Sequence, residues 1–217
     1  MDLIVHQVQF YDFCPSAFTC ISKSDSCLLA AARVDGSLEV YDEKQNFFMV
    51  ARIPSSVIMS VESVTWISSR LFCTGALGRL YEIDIQRSTI KESVLLIGTP
   101  VSRCLVSFGS NIIVGNDEGF ITMFSIEPNI SQLQALPSLS GILTRFLSMF
   151  LGKVLSLACS TADDGLLAAS TSTGALVLIH ITMVICIKSN CSSTSHIQHI
   201  LMTESEDVVV WSVKFAR

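Results

Sequence analysis

The sequence predicts an all-β chain that repeats one unit four times, and three observations predict it. Placing Gly36, Gly78, Gly119 and Gly174 in one column aligns "LLAAARVDGSLEVYD", "RLFCTGALGRLYEID", "NIIVGNDEGFITMFS" and "LLAASTSTGALVLIH", at spacings of 42, 41 and 55 residues. Columns at fixed distances from that glycine are apolar in all four. Seven positions before it stand Leu29, Leu71, Ile112 and Leu167; two after it, Leu38, Leu80, Ile121 and Leu176; five after it, Tyr41, Ile83, Phe124 and Ile179. Each aligned stretch is also a pair of short runs rich in Val, Ile, Leu and aromatics, parted by a turn signal such as Asp35-Gly36, which is how a hairpin reads. Gly36, Gly78, Gly119 and Gly174 are therefore the blade-turn residues, with glycine supplying the positive φ that a tight turn requires.

Each unit extends on both sides. Upstream stand the strand candidates "AFTCIS", "SVTWIS", "SRCLVSF" and "VLSLACS"; downstream of the first three hairpins come "FFMVARI", "IKESVLL" and "ISQLQAL". Four strands recurring every forty-odd residues are the signature of a β-propeller blade, whereas a β-sandwich needs no fixed period. Small residues four positions before the glycine, Ala32, Thr74, Gly115 and Ser170, let neighbouring sheets approach closely.

In chain order this gives a ring-closing strand and lead-in over 1–15, blade one over 16–54, blade two over 55–98 and blade three over 99–139. An insert over 140–152, blade four over 153–190, a loop over 191–206 and the start of blade five over 207–217 complete the chain. The whole, 1–217, reads as a partial N-terminal propeller of about four blades plus the first strand of a fifth. Four blades do not close a ring, so two blade faces and a sheet edge stay uncovered, and the isolated chain is expected to be poorly soluble.

Composition narrows the function. Half of the 217 residues are apolar and 15% are charged, which argues against disorder. A net charge of −5 gives no general basic footprint for nucleic acid. The N-terminus, Met1-Asp2-Leu3-Ile4-Val5-His6-Gln7, lacks the charged start and apolar run of a signal peptide, which points to cytosol or nucleus. The eight cysteines are scattered among apolar residues, as small buried thiols are rather than as a disulfide framework.

Two stretches break the repeat. In "GILTRFLSMFLGKVLSL", Leu143, Phe146, Leu147, Phe150 and Leu151 follow helical spacing. The stretch reads as an insert packed on the propeller or a mispredicted exon; a partner-docking helix or a membrane-surface anchor is the lesser alternative, and Arg145 and Lys153 interrupt a membrane span. "KSNCSSTSHIQHILMTESED" reads as a long polar loop, in which Cys191, His196 and His199 lack the second pair and the spacing of a zinc finger.

Chemistry finds no motif. The chain has no Gly-x-Ser-x-Gly elbow and no phosphate-binding glycine loop. Asp163-Asp164-Gly165 reads as a turn rather than a metal loop, and Glu204, Glu206 and Asp207 as a solvated acidic face. No catalytic, cofactor-binding or metal residue is assigned.

The repeat resembles a degenerate WD repeat: Tyr41-Asp42 occupies the Trp-Asp position and Ile83-Asp84 follows, but the third and fourth units carry Phe124-Ser125 and Ile179-His180. No Gly-His dipeptide occurs, and only Asp35 sits at its turn as the acidic member of a WD-repeat network would. Apolar packing is then expected to hold the blades together. A closer likeness lies in Val5-His6-Gln7-Val8-Gln9-Phe10, in Pro15-Ser16, and in the stretches "SVESVTWISSRLFCTGALGRLYEIDI" and "VVVWSVKF". The first three resemble the opening of the cirhin (Utp four) family, WD-repeat proteins of the small-subunit processome, and "VVVWSVKF" resembles that family's entry into its fifth repeat.

The resemblance implies a non-catalytic nucleolar scaffold without cofactors, partnered by other processome proteins and by the pre-ribosomal RNA–protein particle. RNA association would be indirect, and no membrane is involved. Family chains are much longer, so this one reads as a fragment or a truncated gene product. A generic propeller adaptor, such as a vesicle-coat or ubiquitin-ligase substrate receptor, would share the same repeat.

Overall fold

A computed structural model describes residues 15–58, 60–96, 101–126, 130–135, 152–160, 165–180, 186–190, 197–202 and 208–212. Within them the chain folds into successive antiparallel sheets, each a meander whose strands pair in sequence order. Blade one is β1 (Phe18–Lys23), β2 (Leu28–Arg33), β3 (Leu38–Asp42) and β4 (Phe48–Ile53). The short helix α1 (Ser55–Ile58) leads to blade two: β5 (Ser63–Ile67), β6 (Arg70–Thr74), β7 (Arg79–Asp84) and β8 (Thr89–Leu95). Blade three is β9 (Ser102–Phe108), β10 (Asn111–Asn116), β11 (Ile121–Ser125) and β12 (Ser131–Ala135). Blade four is β13 (Val154–Cys159), β14 (Leu166–Thr171), β15 (Ala175–His180) and β16 (Cys186–Asn190). A fifth sheet pairs β17 (Ile197–Met202) with β18 (Val208–Ser212). The fold is the β-propeller that the repeat predicts.

The strands form where they do because alternation serves two faces at once. Blades two, three and four each lie between described neighbours, so residues of both parities are apolar in their inner strands and the runs read as nearly continuous hydrophobic stretches. The first strands β1, β5, β9, β13 and β17 lie side by side in chain order, and three cores fill the gaps between sheets. Ala30, Ala32, Leu38, Val40 and Ile53 of blade one meet Trp66, Leu71, Cys73, Tyr81 and Ile83 of blade two. Phe72 and Leu80 of blade two meet Leu105, Ile112, Val114 and Phe124 of blade three. Cys104, Ile113 and Ile121 of blade three meet Val154, Leu167, Ala169, Val177 and Ile179 of blade four. The aligned columns thus sort by face: those four before and two after the glycine look toward the next blade, those seven before and five after toward the preceding one.

The small-residue column does what its size allows. A Cβ on Gly115 would come within 2.6 Å of Val154 Cγ1 on the next blade and 2.8 Å of Cys104 Sγ, so only glycine lets β13 approach this closely. Polar bonds stitch the same seams: Trp66 Nε1 donates to the Ser22 carbonyl at 3.0 Å, and the Leu105 amide donates to Ser63 Oγ at 3.2 Å.

One expectation is corrected. The stretch 191–206, predicted as loop, contains β17, and β18 is then the second strand of the fifth sheet rather than its first. Two observations fix that order. β17 lies beside β13 as first strands do. Its register against β18 also slips between Ile197 and His199, as β1 slips between Phe18 and Cys20 and β13 between Val154 and Ser156. The polar run before Ile197 masked a short strand whose own residues, Ile197, Ile200, Leu201 and Met202, are largely apolar. The predicted ring-closing strand, the helix-spaced insert around 143–151, the acidic cluster Glu204–Asp207 and the Asp163-Asp164 turn lie outside the described residues.

Candidate functional site

The blade-turn residues stand at one end of the stacked sheets. Gly36, Gly78, Gly119 and Gly174 adopt φ of +82°, +60°, +86° and +78°, the left-handed conformation that the hairpins need. Asp35 serves its own turn: Oδ1 accepts from the Ser37 amide at 2.8 Å and from Ser37 Oγ at 2.6 Å. Those two bonds hold its carboxyl below the ordinary aspartate range. In blade three the same service comes from Asn116, whose Oδ1 accepts from the Glu118 and Phe120 amides, and in blade four from Thr171, whose hydroxyl accepts from the Ala175 amide. These side chains shape turns.

Charge crosses blades elsewhere at this end. Arg103 donates to Asp117 at 2.8 Å and lies 3.7 Å from Glu62, and Lys153, at the start of blade four, donates to the same Asp117 at 2.9 Å. A chain of alternating charge therefore runs from the start of blade two through blade three to blade four. Burial raises the Asp117 carboxyl, but the bonds from Arg103 and Lys153 more than offset it and hold it below the ordinary range.

Two further ion clusters are buried within blades. In blade two Glu82, 2% exposed, receives both arms of Arg70, at 2.9 and 2.6 Å, and the Lys91 ammonium at 2.7 Å. The Arg70 guanidinium continues across the seam to the Ile126 carbonyl of blade three, at 2.7 Å. In blade one Glu39, 3% exposed, binds Arg33 at 2.6 Å and accepts from the Tyr41 hydroxyl, while Arg33 also donates to the Ser16 carbonyl and lies over the Phe18 ring. To the apolar packing expected to hold the blades together, the structure adds one buried ion pair, Arg70–Glu82, whose arginine also reaches across a seam, while Glu39 closes a cluster inside blade one. Sequence reading missed them because each arginine meets its glutamate diagonally. Arg33 is two residues from Ala31, the partner of Glu39, and Arg70 two from Phe72, the partner of Glu82. Strand register, once known, would have found both.

Reactive chemistry is damped where it can be described. Cys20, Cys27, Cys73, Cys104 and Cys159 are free thiols; burial pushes Cys20 up to about 11 and Cys104 and Cys159 up to about 12, with Cys73 raised further still. The thiols of Cys20, Cys73, Cys104 and Cys159 therefore stay protonated at neutral pH and are poor nucleophiles. Among the described residues no group of three or more His, Cys, Asp or Glu is placed to hold a metal ion, and no helix is long and apolar enough to cross a membrane. Cys191 and His196 lie outside the described residues, and His199 is described only as a backbone position in β17. A cavity of about 480 Å³ opens beside Arg70, Glu82, Asp84 and Lys91, but its two deepest charges are spent on each other.

The turn-bearing end carries a second kind of feature, exposed apolar side chains. Val57 of α1, Leu77 of the β6–β7 turn and Leu95 at the end of β8 are solvent-facing, as are Phe18, Ile21, Val34, Phe47 and Val50 of blade one.

Comparison with known proteins gives the same picture. No family model matches the chain. It is 32% identical over 133 residues to the human protein named U3 small nucleolar RNA-associated protein 4 homolog, a match covering 60% of this chain and 19% of that protein. The mouse protein of the same name is 32% identical over 127 residues, covering 57% of this chain and 18% of its own length. The likeness to the cirhin family read from the residues therefore holds, and the aligned region amounts to about a fifth of the curated relatives' length. The β-propeller domain of Cps50 (Swd1) from Myceliophteria thermophila superposes with a TM-score of 0.66 at 16% identity, over 91% of this chain and 62% of that one, and supports the fold.

Proposed function

We infer that this chain serves ribosome biogenesis as a WD-repeat scaffold of the cirhin kind, and more finely that it is a non-catalytic subunit of the small-subunit processome. In that role it supports transcription and processing of the ribosomal RNA precursor and assembly of the small ribosomal subunit. The observation that carries the reading is the 32% identity over 133 residues to proteins named for association with U3 small nucleolar RNA. The physical character of the chain supports it. Rigid, stacked sheets with satisfied buried charges give a frame that holds partners rather than one that turns over a substrate.

The partners are other processome proteins and, through them, the pre-ribosomal particle. With a net charge of −5 and its described arginines largely engaged with carboxylates or backbone carbonyls, the chain reaches RNA indirectly. The expected location is the nucleolus, and no cofactor is implied.

The test is to tag the chain at its chromosomal locus, image it against a nucleolar marker, and sediment lysate through a gradient. Nucleolar signal and co-migration with U3 RNA and unprocessed precursor are expected, with precursor accumulating on depletion. Cytoplasmic vesicle or ubiquitin-ligase association, without an rRNA phenotype, would overturn the reading in favour of a generic adaptor.

A further inference from the structure

The exposed apolar groups at the turn-bearing end are neighbours, and three independent links place them together. α1, which carries Val57, lies against β8, which ends in Leu95. Leu95 pairs directly with Arg79, and the Leu96 amide donates to the Gly78 carbonyl, so the end of β8 abuts the turn that carries Leu77. The turn is in addition pinned to the chain following α1: the Ala76 amide donates to Ser60 Oγ at 2.9 Å, and a Cβ on Gly75 would run into the Ser60 carbonyl. Val57, Leu77 and Leu95 are 37%, 42% and 64% exposed, and Ala76 is exposed beside them.

Arg79 adjoins this patch as the strand partner of Leu95. Its Nη1 donates to Ser93 Oγ at 3.2 Å, and it forms no ion pair with a carboxylate among the described residues. The other arginines of blades two and three, Arg70, Arg87 and Arg103, all have a carboxylate within 4 Å. A guanidinium with no acidic partner among the described residues, beside exposed aliphatic side chains, has the composition of an energetic centre in a protein interface. One cation amid apolar groups is, by contrast, a poor phosphate-tracking surface, which needs several.

We propose that this end of blade two, Val57, Leu77 and Leu95 with the adjoining Arg79, docks an amphipathic helical segment of a partner protein whose apolar face carries a carboxylate. The exposed Leu77 and Leu95 would face its apolar side, and Arg79 its acid. The proposal deepens the scaffold reading, which rests on the relatives; its test reads a direct contact, so its failure leaves the assembly role standing.

The experiment displays a library of helical peptides with apolar residues at i, i+3, i+4 and i+7 and randomised intervening positions, and selects binders on the 217-residue chain. Enriched peptides are expected to carry Asp or Glu within one turn of the apolar stripe. They should bind L77S and L95S chains at least about tenfold more weakly by fluorescence polarisation. Arg79→Glu should reverse the preference toward Lys-bearing versions of the same peptides, a reversal that a merely misfolded chain does not give. No enrichment, or enriched peptides indifferent to all three substitutions, overturns the proposal. So does a labelled single-stranded 20-mer RNA whose binding is lost in R79E while peptides fail, which would make the surface an RNA contact.

Discussion

Blades two, three and four turn matching columns toward the blade before them, and blade one departs from them there. Three and five positions after the glycine stand Tyr81 and Ile83, Thr122 and Phe124, Val177 and Ile179, and all but Thr122 belong to apolar cores shared with the preceding sheet. In blade one the same columns hold Glu39 and Tyr41, and the carboxylate is buried against Arg33 of its own sheet. One backbone repeat therefore satisfies a sheet face in two ways. An apolar face is stabilised only by what covers it; a closed ion cluster completes its hydrogen bonds inside the sheet and depends less on a neighbour. Blade one is the self-contained member of the series.

Breaking each kind of face gives the largest effects. Phe72→Ala, in the core between blades two and three, should cost about 3–5 kcal/mol, read as a lower urea midpoint, because a wholly buried ring leaves a cavity that rigid sheets cannot close. Glu39→Ala should cost about 3 kcal/mol, since it strands the Arg33 guanidinium, whose side chain is 11% exposed. The contrast sharpens in the triple variant Arg33→Leu, Glu39→Tyr, Tyr41→Ile, whose last two changes give blade one the residues of blade two in these columns and whose first removes the partner cation. Its unfolding free energy should return to within about 1 kcal/mol of the parent, because replacing a buried ion pair whole is far cheaper than breaking it. Equal stability of Glu39→Ala and the parent would erase the distinction between the two faces.

Next in size are the glycines, which serve two different ends. Gly115→Val should destabilise by about 1–3 kcal/mol through overpacking at the seam between blades three and four, where Val154 and Cys104 already fill the space. Gly36→Ala should cost about 1–2 kcal/mol for another reason, the strain of a side chain at φ +82° within blade one's own turn. A Gly115→Val chain with an unchanged midpoint would mean that the seam is loose rather than close-packed.

The same contrast explains what the sequence could reveal. The three leading strands of every blade and the glycine turns were legible because alternation, chain period and positive φ are local properties written at fixed spacings. β17 was not, because six residues, four of them apolar, behind a polar stretch look like loop until a neighbouring first strand is there to lie beside. α1 is only four residues, Ser55–Ile58, too short for a period of 3.6 to show. The ion clusters were hidden for a geometric reason: Arg70 and Glu82 are twelve residues apart in sequence and adjacent only once β6 and β7 are in register. Arg79 was invisible for the converse reason, since an arginine becomes notable only when the others around it have found partners.

The smallest effect tests whether Glu82 is of blade one's kind. It occupies the forward face of blade two, in the column that holds Val40, Met123 and Leu178 elsewhere, and so is a polar replacement in an otherwise apolar seam. Burial raises its carboxyl, but the bonds from Arg70 and Lys91 outweigh burial and hold it below the ordinary glutamate value of about 4.3. A carboxylate lowered in the folded state contributes stability that is present above the unfolded value and is lost as pH falls through the folded one. Unfolding free energy, measured by urea at stepped pH, should therefore decline on acidification below about pH 4.3. Glu82→Gln should flatten that decline without abolishing it, because Asp117, lowered by Arg103 and Lys153 against its own burial, titrates in the same direction. The flattening should be modest, since Lys91 is 57% exposed and solvent screens its share. If Glu82→Gln left the slope unchanged, the carboxylate would have to be equally well held in the unfolded chain, and its bond to Arg70 would position the latch onto Ile126 without stabilising the blade.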